Sequence, residues 1–220
     1  MSFALTLGCA LFGALTGPFL AVAMERVPER RPLRPWRPFP RRAPAVAAVA
    51  AGAFAGAAWR FGASWSLPAF LAFLGGLLIL AVTDAEHFLL PNRIIYPTGL
   101  LTGGFLLLAS AAHHEWHRLE VALVSGAVCF AFFFIVNFVN PRWLAFGDVR
   151  LSLIIGLALG WLGPLQLLLG LFLANALAAV VGIALMVSGR MKRGGHLPLG
   201  VFLAAGAAVT VYAGYGLVRR

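Results

Sequence analysis

The sequence predicts an all-α fold, a polytopic membrane helical bundle of about eight transmembrane helices, on three observations. Hydrophobic residues make up 61% of the chain and charged residues only 11%, a balance that belongs to an integral membrane protein rather than a soluble domain. Several uncharged runs are long enough to cross a hydrocarbon layer of about 30 Å. These runs are continuous, without the strict alternation of a membrane barrel. Backbone amides that lipid cannot satisfy must therefore be paired within helices.

In chain order the apolar runs place helices over 3–23, 45–62, 67–83, 94–112, 119–139, 149–162, 164–188 and 197–217. The first lacks a basic segment before it and carries its arginines after it, so it reads as a retained helix and not as a signal peptide. Its Gly13 and Gly17 form a GxxxG packing motif. Between the first two helices, "ERVPERRPLRPWRPFPRRAP" (residues 25–44) alternates proline with arginine, which forbids helix and favours an extended polycationic loop. That loop is expected against the anionic cytosolic leaflet. The sixth helix is short, and Gly163-Pro164 joins it to the seventh through a tight turn or a kink, so a seven-helix arrangement is the alternative. A single membrane domain over 1–220 accounts for the sequence, with no internal repeat and no soluble domain. Cys9 and Cys129 fall inside spans and read as packing residues, neither disulfide partners nor zinc ligands.

The formal net charge of +10 does not point to nucleic acid, because the basic residues flank spans on one side. With the first loop cytosolic, the inward segments carry Arg26, Arg30, Arg31, Arg34, Arg37, Arg41, Arg42, Arg93, Arg142, Arg150, Arg190, Lys192 and Arg193. Only Arg60, Arg118, Arg219 and Arg220 remain outside. This asymmetry sets the orientation, with both termini outside the cytosol.

An ionisable side chain within a span costs about 2.5–3.5 kcal/mol on insertion scales, so acids retained near spans are functional candidates. Of the seven acids, Glu25 and Glu29 sit among loop arginines, and Glu115 and Glu120 flank the outer loop "HHEWHRLE". Asp84, Glu86 and Asp148 remain. Asp84 closes the third helix and Asp148 opens the sixth, which puts both at one depth on the cytosolic side. Two carboxylates brought close cannot both ionise easily and share a proton, which supplies one acid and one base for peptide hydrolysis by a bound water. Taken singly, Asp148 also suits a helix first turn, whereas Asp84 at a helix C-terminus opposes the helix dipole. Asp148, Ser152, Gly156 and Gly160 recur every four residues, a small-residue stripe along which another helix can come close.

Other constellations carry less. His113, His114 and His117 with Glu115 are one residue short of an HExxH zinc helix and fit an exposed outer loop. His196 is a loop residue or approaches the cytosolic site. Neither a G-x-S-x-G elbow nor a P-loop occurs.

Four segments resemble, in order, those of the type IV prepilin peptidases, relatives in mechanism of the GxGD intramembrane aspartyl proteases. "GPFLAVAMERVP" (17–28) is similar to the family's GSFLNVVIYRLP-type segment, and "DAEHFLLPN" (84–92) to its first catalytic motif, with the hydrophobic-Pro-Asn triplet ending at Pro91 and Asn92. "FGDVRLSLIIGLALG" (146–160) is similar to GxGDxKLxAxxGxxxG, and "LPLGVFLAAGA" (197–207) to a PFGPFLALGA-type segment. The resemblance implies that Asp84 and Asp148 are a catalytic pair that cuts a short basic leader from pilin-like precursors at the cytosolic face of a bacterial-type inner membrane. It implies a substrate whose hydrophobic helix docks between helices, within membrane lipid. Gly147 keeps the glycine that precedes the aspartate, Arg150 stands at the family's lysine, and Glu86, Pro91 and Asn92 are expected to order the first motif.

The chain also departs from the family. Ala145 replaces the first glycine of GxGD. The short Arg/Pro loop replaces the paired CxxC zinc region of many members, so no metal site is expected. Proteolysis of this kind requires no cofactor. Those members methylate the new N-terminus with S-adenosylmethionine, and Pro18 and Ala21 alter the segment associated with that step, so the cofactor is expected only if methylation is retained. The rival readings are a proton-coupled transporter, which needs an acid at mid-membrane, and a non-catalytic pilus or secretion assembly subunit.

Overall fold

The computed structural model describes residues 3–29, 31–32, 39–141, 144–189 and 197–213. Eight helices run through them: α1 (Phe3–Arg26), α2 (Ala43–Phe61), α3 (Leu67–His87), α4 (Asn92–His113), α5 (Trp116–Val139), α6 (Phe146–Leu162), α7 (Pro164–Val187) and α8 (Leu199–Ala213). No strand occurs among the described residues. The sixth and seventh helices are separate. Gly163 between them has φ of 132°, a value that suits glycine, and Pro164 opens α7, where a missing N–H costs nothing. His196, residue 30, residues 33–38 of the basic loop and the 214–217 end of the eighth predicted span lie outside the described residues.

Six helices, α1 to α5 and α7, are long and apolar enough to cross a membrane. With 17 residues, α6 falls below the roughly 20 of a full span, and α8 is apolar over the 15 residues described. The protein is a multi-pass helical membrane protein, and its lipid-facing surface shows large apolar side chains such as Leu100, Phe138 and Val187.

The most enclosed helices are α3 and α6, with buried side chains on several faces. α3 packs on α1, α2, α4 and α8, and α6 packs on α4, α5, α7 and α8. Lipid tails offer little hydrophobic drive for helix association, so contact depends on close backbone approach at small residues. Gly13 and Gly17 of α1 lie against the backbone of Ala50 and Ala47 in α2. The α6 stripe is taken up by α5: Gly156 lies against Gly126 and Ser125, Gly160 against Ser125 and Ala122, and Ser152 Oγ, which bonds the Val149 carbonyl of its own helix, stands 3.5 Å from the Cys129 carbonyl.

These contacts separate structural from idle glycines. A Cβ on Gly17 runs into the Ala47 backbone, whereas one on Gly8 meets nothing within 4 Å. Gly17→Ala should therefore destabilise the bundle by about 1–3 kcal/mol, as overpacking does. Gly8→Ala should leave thermal unfolding in detergent unchanged or slightly improved; equal melting of the two variants would contradict the α1–α2 contact.

Candidate active site

Asp84 belongs to the last turn of α3, since that helix runs four residues past its predicted end to His87. Asp148 is the third residue of α6, after Ala145 at the cap, Phe146 and Gly147. Both side chains are buried, and they stand within electrostatic reach of each other. Asp84 and the residues flanking Asp148 border one cavity at the same end of the bundle. The cavity, about 540 Å³, is lined by Val27 and Pro28 after α1, by Asp84, by the connection Phe88 to Arg93, and by Ala145, Gly147 and Arg150.

A carboxylate at the end of its own helix faces the negative end of the dipole. For Asp84 the N-terminus of α8 offsets this: the Val201 N–H donates to Asp84 Oδ2 at 3.1 Å. Gly200 is what lets α8 come so near. A Cβ there would stand 2.8 Å from Asp84 Oδ2 and 3.2 Å from Leu90 Cδ1. Asp148 is anchored by its backbone, whose N–H donates to the Ala145 carbonyl at 3.0 Å. Its Oδ1 is buried without a hydrogen-bond partner among the described residues; Asp148 itself does not line the cavity, which Gly147 before it does.

Leu90 connects the two motifs. A Cβ on Gly147 would stand 2.8 Å from Leu90 Cβ, so the glycine before Asp148 makes room for the side chain that follows the first motif. Ala145 adopts ordinary extended backbone, φ −72° and ψ 146°. The conformation requires no glycine, so the substitution is unstrained. Asn137 Nδ2 donates to the Leu144 carbonyl at 2.6 Å and ties the end of α5 to the approach to α6.

The supporting residues divide. Pro91 caps α4 in extended conformation and lines the cavity with Asn92. Arg150 Nη1 donates to Asn92 Oδ1, and its guanidinium lies 4.5 Å from the Phe146 ring centroid, joining the start of α6 to that of α4. Glu86 does not line the cavity. It accepts two hydrogen bonds from Arg42 Nη1, at 2.7 and 2.8 Å, and so fastens the end of the basic loop to α3. Gly200, Val201, Leu90, Phe88 and Arg93 are site residues that sequence reasoning passed over. For Gly200 the available signal was its place behind Pro198 at a helix start.

No group of three or more His, Cys, Asp or Glu side chains suited to a metal ion occurs among the described residues. Of the outer-loop histidines, His117 lines a separate pocket with Arg60 and Arg118, and His113 packs edge-on against Trp65.

A family model described as the type IV leader peptidase family matches residues 71–214, which takes in both aspartates and runs from the first turns of α3 through α8. The chain belongs to the type IV leader peptidase family. Among its relatives are proteins named prepilin leader peptidase/N-methyltransferase. The one from Stutzerimonas stutzeri is 29% identical over 150 residues, 67% of this chain and 50% of the relative. That from Bacillus subtilis is 29% identical over 180 residues, 80% of this chain and 67% of the relative. That from Pseudomonas aeruginosa is 29% identical over 172 residues, 74% of this chain and 55% of the relative. The chain thus spans about half to two thirds of the length of these leader peptidases. No solved structure matches it.

One site residue carries visible strain. Phe88, the α3 cap whose N–H donates to the Asp84 carbonyl at 2.9 Å, has left-handed backbone, φ 52° and ψ 36°, and its side chain is exposed. That conformation costs a side-chain-bearing residue about 1–2 kcal/mol. Phe88→Gly should raise stability by about 1 kcal/mol and Phe88→Val lower it, as read from thermal unfolding in detergent. The reverse order would exclude strain at this cap.

Proposed function

We propose that the protein is a membrane aspartyl endopeptidase that removes the short leader of type IV prepilin-like precursors at the cytosolic face of the inner membrane. The observation that carries this reading is the burial of Asp84 and Asp148 at one end of the bundle, beside a cavity walled by both aspartate motifs. Membership of the leader peptidase family supports it. Cytosolic placement rests on the charge asymmetry of the loops.

In the mechanism the two carboxylates hold one proton between them. The ionised member takes a proton from a water in the cavity as its oxygen attacks the scissile carbonyl carbon. The protonated member gives its proton to the carbonyl oxygen, producing a neutral gem-diol. Proton transfer to the amide nitrogen then breaks the C–N bond and frees the leader's new carboxyl group and the mature N-terminus. Asp84 Oδ2 is already engaged by Val201. Asp148 Oδ1 has no partner of its own, and it comes to bond the water or the substrate carbonyl once substrate entry opens the wall at Gly147. Arg150 and Asn92, bonded to each other at the cavity wall, position the substrate backbone.

Methyl transfer does not fit the residues present. At the positions that the resemblance ties to it, Pro18 and Ala21 offer no side-chain donor or acceptor. Ala21 is fully buried in an apolar cluster with Met24, Val46 and Ile79. No step is assigned to S-adenosylmethionine.

Coexpression with a prepilin-like precursor tests the peptidase. Asp84→Asn and Asp148→Asn should each slow leader removal by about 10²- to 10⁴-fold or more, with expression and melting close to wild type. Full-rate cleavage by either variant would remove that aspartate from the chemistry.

Incubating the same precursor with methyl-labelled S-adenosylmethionine should leave the mature N-terminus unlabelled. Stoichiometric label would overturn the exclusion drawn from Pro18 and Ala21.

A further inference from the structure

Two apolar grooves open on the sides of the bundle, and they differ in how they end. The first, about 520 Å³, runs between α1, α3 and α4, past Phe12, Ala72, Ile79 and Leu101. The second, about 600 Å³, lies between α2, α3 and α8; it carries no charged side chain and shares no lining residue with the aspartate cavity, touching the site only at Val201, whose N–H bonds Asp84. In the first groove, besides Thr16 and Thr98, polar character comes only from Arg93, which also lines the aspartate cavity. Groove and cavity therefore meet at Arg93.

We propose that the α1/α3/α4 groove is the docking track for the apolar segment of the precursor, with Arg93 the point at which that segment leaves lipid and enters the aspartate cavity. This rests on the peptidase reading. On α4 the groove reaches from Arg93 to Phe105, 12 residue steps and so about 18 Å at helical rise. Its volume takes one face of a guest helix while the other face stays in lipid. At the cavity the substrate must abandon helix, because a scissile amide has to be exposed to both carboxylates and water. Unwinding frees backbone N–H and C=O groups that need partners away from water. Arg93 can supply both kinds. Its guanidinium, with no ion pair among the described residues, donates to freed carbonyls. Its own carbonyl lacks the usual helical donor four residues on, where Pro97 has no N–H.

The test combines cross-linking with kinetics on the full chain in proteoliposomes. A photo-cross-linker at Leu101, in the Asp84→Asn background that keeps the precursor uncut, should label the precursor's apolar segment. The same probe at Gly52 in the second groove, where a Cβ meets nothing within 4 Å, should not. In the active chain, Ala72→Phe should raise KM for the precursor about tenfold with kcat within about twofold, the mark of lost uniform binding. Gly52→Phe should change neither. Adducts from Leu101 with lipid alone, precursor adducts from Gly52 instead, or an unchanged KM in Ala72→Phe would overturn the proposal. A wild-type chain that leaves the precursor uncut would instead overturn the peptidase reading.

Discussion

The two carboxylate-bearing helices do not pack along each other, and the candidate site depends on the pair of helices that hold them together. α4 and α8 each pack against both α3 and α6. α4 does so with glycines, Gly99 and Gly103 standing beside Ile154 and Leu157 of α6. α8 reaches the α3 side at its first turn, where Gly200 lies on Asp84 and on Leu90, the side chain that also faces Gly147 of α6. In such a frame the separation of the carboxylates is set by third parties, so motions of α4 or α8 change the site without any change in α3 or α6.

The same frame explains how anionic groups can sit at this end of a membrane protein. The starts of α4, α6 and α8 all reach the cavity or the carboxylates, through Pro91 and Asn92, through Ala145 and Gly147, and through Val201. Each helix start presents unpaired N–H groups and the positive end of a dipole. Asp84, which ends its own helix, gains from α8 what α3 denies it. Of the arginines at this end, Arg42 pairs with Glu86 and Arg150 bonds Asn92, while Arg93 on the cavity wall forms no ion pair with either carboxylate. The carboxylates are left unneutralised by any ion pair among the described residues, as general acid–base work requires.

Much of this was legible in the sequence, because membrane helices announce themselves by uninterrupted apolarity and turn residues mark their ends. The eight helices and the placement of Asp84 and Asp148 at one end follow from those signals. Partner choice does not. The small-residue stripe behind Asp148 shows that some helix comes close, yet only packing reveals that α5 takes it and that α3 is kept at a distance. Glu86 stands two residues from Asp84 but points to the basic loop, since successive helical residues face different ways. Gly200 and Leu90 could not be assigned a role beforehand, because their contacts join segments more than fifty residues apart.

The two glycine positions of the second motif make unequal demands, and the substitution at the first shows which one the geometry requires. Residue 145 is exposed with extended backbone, and its carbonyl, not its Cα, serves the site by accepting the Asp148 N–H. Any residue can offer that carbonyl. Residue 147 is different: its Cα faces the Leu90 side chain so closely that a Cβ would stand 2.8 Å away. Leu90 in turn touches the place where α8 reaches Asp84. A side chain at 147 would push Leu90 toward Gly200 and disturb Asp84 from the far side, so the glycine beside one aspartate guards the geometry of the other.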